Sequence, residues 1–225
     1  MFFSVDKNTQ AIHYMQENKY EEAAALFTEI IEENPQDPVG YINFGNLLLH
    51  MNDYERAQAF FDEAIKHDPA APTAYYGLGN LYFEQSQYVK AQESFQKAIE
   101  LGLEEADVYY MLGLTLQDQE QYKLAIPYFL RASELNVDDE EVLFQYGLSL
   151  AQSDYIAEAE PVFKEVLKKN VDHSDAHYNL GVISLFHDQL MEALHHFDEA
   201  LRIQPDHLLA ANGKKNAESL IKEDE

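Results

Sequence analysis

Cysteine is absent and cations are scarce. Lys plus Arg number 15 against 41 Asp plus Glu in 225 residues, a formal charge of −26. Without cysteine there is no disulfide, no thiolate nucleophile and no Cys-ligated zinc, and the chain fits a reducing cytosol. Nucleic-acid binding draws most of its affinity from cation–phosphate contacts, so this charge argues against a nucleic-acid partner. An anionic membrane surface is disfavoured for the same reason. No apolar run approaches the ~18 residues of a membrane span. The opening stretch MFFSVDKNTQ has no cationic patch leading into an apolar run, so no signal peptide is expected. Linker-like stretches are also missing, which fits one compact unit or a repeat array. Hydrophobic residues make up 46% of the chain, ample for a buried core.

What the chain does have is a period. Gly45, Gly79, Gly113, Gly147 and Gly181 are spaced by 34 residues. The same interval relates Tyr41, Tyr75 and Tyr109 (then Leu143 and His177), and also Phe44, Leu78, Leu112, Tyr146 and Leu180. It further relates Ala57, Ala91, Ala125, Ala159 and Ala193, and the row Phe61, Phe95, Phe129, Phe163 and Phe197. A fixed period of this length marks a repeat architecture. In PTAYYGLGNLYFE, Gly77 has no counterpart: Asn43, Met111, Gln145 and Asn179 hold its place. The stretch is not a phosphate cradle, because Tyr82 stands where G-x-G-x-x-G needs its third glycine. Tyr75, Leu78, Gly79 and Tyr82 make one apolar stripe at helical spacing, and Ala91, Phe95 and Ala98 a second. The polar EQSQY between them reads as a turn, so each repeat is a helical hairpin. Glycine inside a helix costs roughly 1 kcal/mol relative to alanine. The five glycines therefore imply a close helix–helix approach that offsets this cost.

These positions resemble the tetratricopeptide repeat (TPR) family. Repeats begin at residues 38, 72, 106, 140 and 174, and an atypical one from residue 4 carries Ala11, Tyr14, Ala23, Phe27 and Pro35. The expected boundaries are about 4–37, 38–71, 72–105, 106–139, 140–173 and 174–207 in a single array. PTAYYGLGN, DVYYMLG and IQPDHLLA are similar to small stand-alone TPR proteins of Gram-positive bacteria. The resemblance implies an all-α, right-handed superhelical solenoid of antiparallel hairpins; with no cysteine and no signal peptide expected, a cytoplasmic, non-enzymatic protein is expected. Departures are few. Tyr155 comes one place early, and Pro127 and Pro161 are predicted to kink or delay their helices. The last segment, LLAANGKKNAESLIKEDE, leaves the pattern, and a capping helix is expected over about 208–222.

Stacked hairpins leave an extended concave face, which the resemblance assigns to the first helices. A second stripe there reads Ile42, Tyr76, Tyr110, Phe144 and Tyr178, then Asn46, Asn80, Leu114, Leu148 and Val182, then Leu49, Phe83 and Gln117. It lies about 100° around the helix from the packing stripe. Two readings of its rings stand open: packing against a neighbouring repeat, or an exposed aromatic ladder for a protein partner. The first helices of the five full repeats contain no Lys or Arg. A neutral-to-basic, partly apolar peptide is therefore the expected ligand. Asn43, Asn46, Asn80 and Asn179 are candidates to hydrogen-bond its backbone, and Gln145 is a further groove candidate. Asp107, Glu141 and Asp175 either select against anionic partners or offset helix dipoles.

Metal and catalytic sites find little support. His173 and His177 have i, i+4 spacing, but Ser174 is expected to cap the helix with His173 outside it, and His177 holds a packing position. No metal and no cofactor is expected. The acidic run at 138–141 reads as a solvated turn. No catalytic constellation departs from the lattice. Self-association through an edge or the second-helix face is the alternative to peptide capture. Metal-dependent activity of the late histidines is a remote third.

Overall fold

The computed structural model describes residues 6–224, which form thirteen α-helices and no strand. Two compact units make up the chain, Met1–Gln119 and Glu120–Glu225. Unit 1 holds α1 (Lys7–Gln16), α2 (Tyr20–Glu33), α3 (Pro38–His50), α4 (Tyr54–His67), α5 (Pro72–Glu84), α6 (Tyr88–Glu100) and α7 (Ala106–Gln117). Unit 2 holds α8 (Tyr122–Leu135), α9 (Glu140–Gln152), α10 (Ile156–Lys169), α11 (Ser174–Phe186), α12 (Leu190–Ile203) and α13 (Leu208–Asp224). Inside each unit every helix packs on the next in sequence. In unit 1 the first helices of successive hairpins, α1, α3, α5 and α7, also touch one another. The expected start of the first repeat at residue 4 lies outside the described residues.

The hairpins turn through one left-handed residue each. Asn18, Asn52 and Ser86 in unit 1, and Glu120, Asp154 and Asp188 in unit 2, have φ between 56° and 66°. All are separated by the 34-residue interval. The turn closes as a Schellman motif: Asp53 N–H donates to Leu48 O at 2.9 Å and Gln189 N–H to Ser184 O at 2.8 Å. Helix starts are fixed by side-chain caps at Asp6, Asp37, Asp53 and Asp139 and by Pro38 and Pro72 in the first turn. Asp139 caps α9 and Glu140 and Glu141 form its first turn, so the acidic run is a helix start rather than a free loop.

Phenylalanine forms the spine. Phe27, Phe61, Phe95, Phe129, Phe163 and Phe197 are all 0% exposed. A methyl on Gly79 would lie 2.4 Å from Phe95 Cε1, one on Gly45 2.7 Å from Phe61, one on Gly181 2.6 Å from Phe197, and one on Gly147 3.0 Å from Phe163. In these four hairpins the ring of the second helix fills the space a side chain would need, which is why these positions remain glycine despite their helical cost. Gly113 is buried in α7. The first repeat places Ala11 at the equivalent position, also 0% exposed.

Three expectations change. Gly77 does take part in packing: a methyl there would lie 2.3 Å from Phe61 Cε1, so Phe61 is held between Gly45 and Gly77. The last segment keeps the repeat register. Gly213 lies one further repeat along from Asn179 and meets Phe197 as Gly77 meets Phe61, while Ala210 and Ala217 are 0% exposed. Thus α13 is a further first helix, and its polar composition concealed the three small positions Ala210, Gly213 and Ala217. Pro127 and Pro161 delay nothing, since α8 and α10 begin at Tyr122 and Ile156, upstream of them.

Candidate functional site

Each unit has an open recess on the face of its first helices. In unit 1, α3, α5 and α7 bring together Asn46, Leu49, His50, Tyr76, Asn80, Glu84 and Met111, with Asn52 of the turn, around a volume of about 460 Å³. In unit 2, α9 and α11 supply Phe144, Leu148, Ala151, Gln152, Asp175, Tyr178, Asn179, Val182 and Ile183. Ile156 and Leu209 complete that recess, of about 520 Å³. Neither lining contains Lys or Arg.

The ring stripe divides by burial. Ile42 and Phe144 are buried at 6% and 8% exposure, whereas Tyr76, Tyr110 and Tyr178 are half-buried. Tyr76 packs on Phe95 at 5.8 Å, Phe144 on Phe163 at 5.8 Å and Tyr178 on Phe197 at 6.1 Å. Each ring thus leans on the spine phenylalanine of its own hairpin, and Phe144 and Tyr178 also meet His173 and His207 at the starts of the following first helices, 4.6 Å and 5.2 Å away. Burial pushes the Tyr76 phenol up; a hydrogen bond with Asn80 opposes this, and nearby Asp107 and Glu105 add to it.

Several amides are engaged within the chain. Asn43 Nδ2 donates to Asn8 Oδ1 at 3.2 Å, Asn179 Nδ2 to Asp175 O at 2.8 Å, and Gln145 Nε2 to Glu141 Oε1 at 2.7 Å. Asn46 makes no side-chain hydrogen bond among the described residues and lines the unit 1 recess. Ile42, Asn43, Phe83, Tyr110, Leu114, Gln117 and Gln145 line neither recess; Phe83 packs edge-on against Tyr88 at 5.7 Å. Asp107, Glu141 and Asp175 all lie in the first turns of their helices, where a carboxylate offsets the dipole. Asp175 also faces a recess and accepts from His207 Nε2 at 3.0 Å.

His50, Glu84 and Gln152 stand one place beyond the stripe's last position, on the first-helix face that the resemblance assigns to the groove, and repeat at the same interval. Sequence reading missed Leu209 because α13 had been set outside the lattice. The expected cap at Ser174 is also corrected. Ser174 is the first residue of α11, and His173 is the N-cap, its ring accepting the Ala176 amide at 3.2 Å. His177 is bonded to His196, Nδ1 to Nδ1 at 3.1 Å, so it does not pair with His173. Among the described residues no group of three or more His, Asp or Glu is placed to hold a metal ion, and no helix is long and apolar enough to cross a membrane.

Paired helices on a constant interval, with phenylalanine set into glycine, define an all-α helical repeat, a class that generally serves as a protein–protein interaction scaffold and is typically non-enzymatic. The chain belongs to the tetratricopeptide repeat family: models of that repeat match residues 14–81, 48–115, 106–139 and 148–207. It is similar to the crystal structure of YrrB, described as a TPR protein with an unusual peptide-binding site. The TM-score is 0.80 and the identity 46%, over 84% of this chain and 97% of that one. The TPR repeat-containing protein YrrB of Bacillus subtilis (strain 168) is 62% identical over 34 residues, which span 15% of this chain and 16% of that protein's length. PilF of Pseudomonas aeruginosa shares the fold, with a TM-score of 0.78 at 16% identity over 93% of this chain and 96% of that one.

Proposed function

We propose that this chain is a non-enzymatic scaffold that captures a neutral-to-basic, partly apolar peptide segment of a protein partner on its first-helix faces. One observation carries the reading: both recesses combine half-buried tyrosine with apolar and amide side chains and contain no cation. A peptide's apolar side chains would enter beside Tyr178 and Val182. Its backbone would meet Asn46 and Asn80, and its cations Glu84 and Asp175. The repeats would follow the six intervals above with α13 closing the array, and neither nucleic acid nor cofactor enters the reading. YrrB, with its peptide-binding site, supports it by similarity.

The test is titration calorimetry against a peptide library varied in charge and apolar content, with the Tyr76/Tyr110/Tyr178 triple alanine variant alongside. Tyr76→Ala and Tyr178→Ala should each weaken capture by more than about 1 kcal/mol. Unchanged affinity in the triple variant, or preference for acidic peptides, would overturn the reading. A second reading, self-association, draws on Phe186 and Met191, each 72% exposed beside the α11–α12 turn. A sedimentation mass that stays monomeric as concentration rises would remove it.

A further inference from the structure

Three arrangements at the end of unit 2 need a histidine nitrogen that keeps its lone pair. His173 Nδ1 accepts the Ala176 amide at the start of α11, at 3.2 Å. One repeat later His207 Nδ1 accepts the Ala210 amide at the start of α13, also at 3.2 Å, while its Nε2–H donates to Asp175 Oδ1 at 3.0 Å. His177 gives its Nε2–H to Val171 O at 3.2 Å, so its Nδ1 must accept from His196 Nδ1–H at 3.1 Å. The equivalent caps of α3 and α9 are carboxylates, Asp37 and Asp139.

We propose that α11, α12 and α13 form a pH-sensitive clasp, closed while these rings are neutral and released when protonation at Nδ1 removes both caps and splits the His177–His196 pair. A protonated imidazole only donates, so it cannot accept a helix-start amide. Its positive charge would also sit at a helix N-terminus, where the dipole opposes it. Histidine is the side chain that changes charge between about pH 5 and 8. Aspartate caps keep their acceptors throughout that range, so α3 and α9 lack this sensitivity.

The surroundings of each ring bear on the sign. Asp175 and Tyr178 face His207 from α11, the Tyr178 ring at 5.2 Å. In the last turn of α12, Glu199 and Arg202 pair at 2.8 Å, and Arg202 also holds Asp172 at 2.9 Å. His207 Nε2 keeps its proton, donated to Asp175, in both states, so an ion pair forms on protonation but the α13 cap is still lost. His173 stacks on Phe144 of α9 at 4.6 Å. Nearby, Glu140 of α9 accepts from Asn170 at 2.8 Å and Lys169 of α10 pairs with Asp138 at 3.7 Å. Around the His177–His196 pair, α10 contributes the Lys164–Glu160 pair and α12 contributes His195, Glu199 and Arg202. Burial first, then His177, His195 and Lys164, push His196 down to about 4, and burial also lowers His177. If the scaffold reading above holds, release of α13 withdraws Leu209 from the unit 2 recess and weakens peptide capture in acid.

The experiment is NMR on the full ¹⁵N-labelled chain from about pH 7.5 to 5. It follows the histidine ring nitrogens, the Ala176 and Ala210 amides, and hydrogen-exchange protection in α11 and α13. A His173→Asn/His207→Asn variant supplies caps that do not titrate. In the wild type both amides should shift with the ring nitrogens, and protection should fall about tenfold by pH 5; the variant should keep the protection of α13 and lose in α11 only the smaller part that the His177–His196 pair carries. Protection unchanged through the histidine titration, or equal loss in the variant, would overturn the clasp. Should the variant lose helical signal at pH 7.5, the wild-type amide titration decides alone. A lysine-containing apolar peptide titrated at both pH values separates the two readings. Binding at neither pH sinks the scaffold and leaves the clasp standing, while pH-independent binding with α13 released sinks only the link between them.

Discussion

Unit 1 and unit 2 share one packing lattice and differ in what they place on it. Unit 1 caps α1, α3 and α4 with Asp6, Asp37 and Asp53 and lines its recess with asparagine, histidine and Glu84. Unit 2 begins with Asp139 but then caps α11 and α13 through His173 and His207, and its recess is mostly aliphatic and aromatic. The difference shows which positions are constrained. Glycine, alanine and phenylalanine along the spine touch each other, and a change there displaces a helix. Cap and recess positions meet solvent or one amide, so several chemistries satisfy them.

The largest expected effect tests whether the spines are equivalent. Phe61 lies between Gly45 and Gly77, and Phe197 between Gly181 and Gly213. Phe61→Ala and Phe197→Ala should therefore each cost about 3–5 kcal/mol in urea unfolding. A loss under ~1 kcal/mol at either would mean the two spines are not built alike. Next comes glycine tightness. Gly77→Ala, with its methyl 2.3 Å from Phe61, should cost about 2 kcal/mol. Gly147→Ala, at 3.0 Å from Phe163, should stay within about 0.5 kcal/mol of the wild type, because gained helix propensity offsets the crowding. Equal losses would erase the distinction.

Acid should separate the units more gently. Unfolded histidine takes up a proton near pH 6.5, whereas folded His196 resists it down to about 4. The folded state is therefore fully favoured above pH 6.5 and loses stability as pH falls from there toward 4. The loss is about 1 kcal/mol once solvent screening of a partly exposed ring is allowed for. Hydrogen exchange at pH 7 and 5 should show it in α11 and α12 but not in α4 and α5; an equal loss in both places would refute it. Smallest is the turn residue. Ser86 has φ 56° and Glu120 φ 59°, a region glycine enters without strain. Ser86→Gly and Glu120→Gly should each raise stability by about 0.5–1 kcal/mol, read as a higher melting temperature. A lower melting temperature in either would show that the side chain has a role of its own.

Much of the architecture was legible because a solenoid lattice is local: each hairpin repeats the same contacts at the same interval. Thus the glycine–phenylalanine match and the polar turn at residues 84–88 could be read directly from spacing. Gly77 and Gly213 could not, because their partner is the phenylalanine of the preceding second helix and only some repeats place glycine there. The recess was partly legible. Asn46, Leu49, Tyr76 and Asn80 in unit 1, and Phe144, Leu148, Tyr178, Asn179 and Val182 in unit 2, come together on the first-helix faces. Tyr110, Leu114 and Gln117 share the period without lining either recess. A period assigns a residue to a face; the depth of that face depends on the neighbouring helices.

By itself the sequence determined the helical hairpin, its interval, its spine and its excess of negative charge, since these follow from side-chain volume, backbone propensity and composition. Tertiary structure alone decided which rings of the stripe are buried and which half-buried, which amides are already bonded within the chain, and that His173 and His207 hold helix starts through lone pairs. Those outcomes depend on where a side chain's neighbour comes to rest: three or four residues away for the caps and for Asn179 and Gln145, about a repeat away for Asn43 with Asn8 and His207 with Asp175.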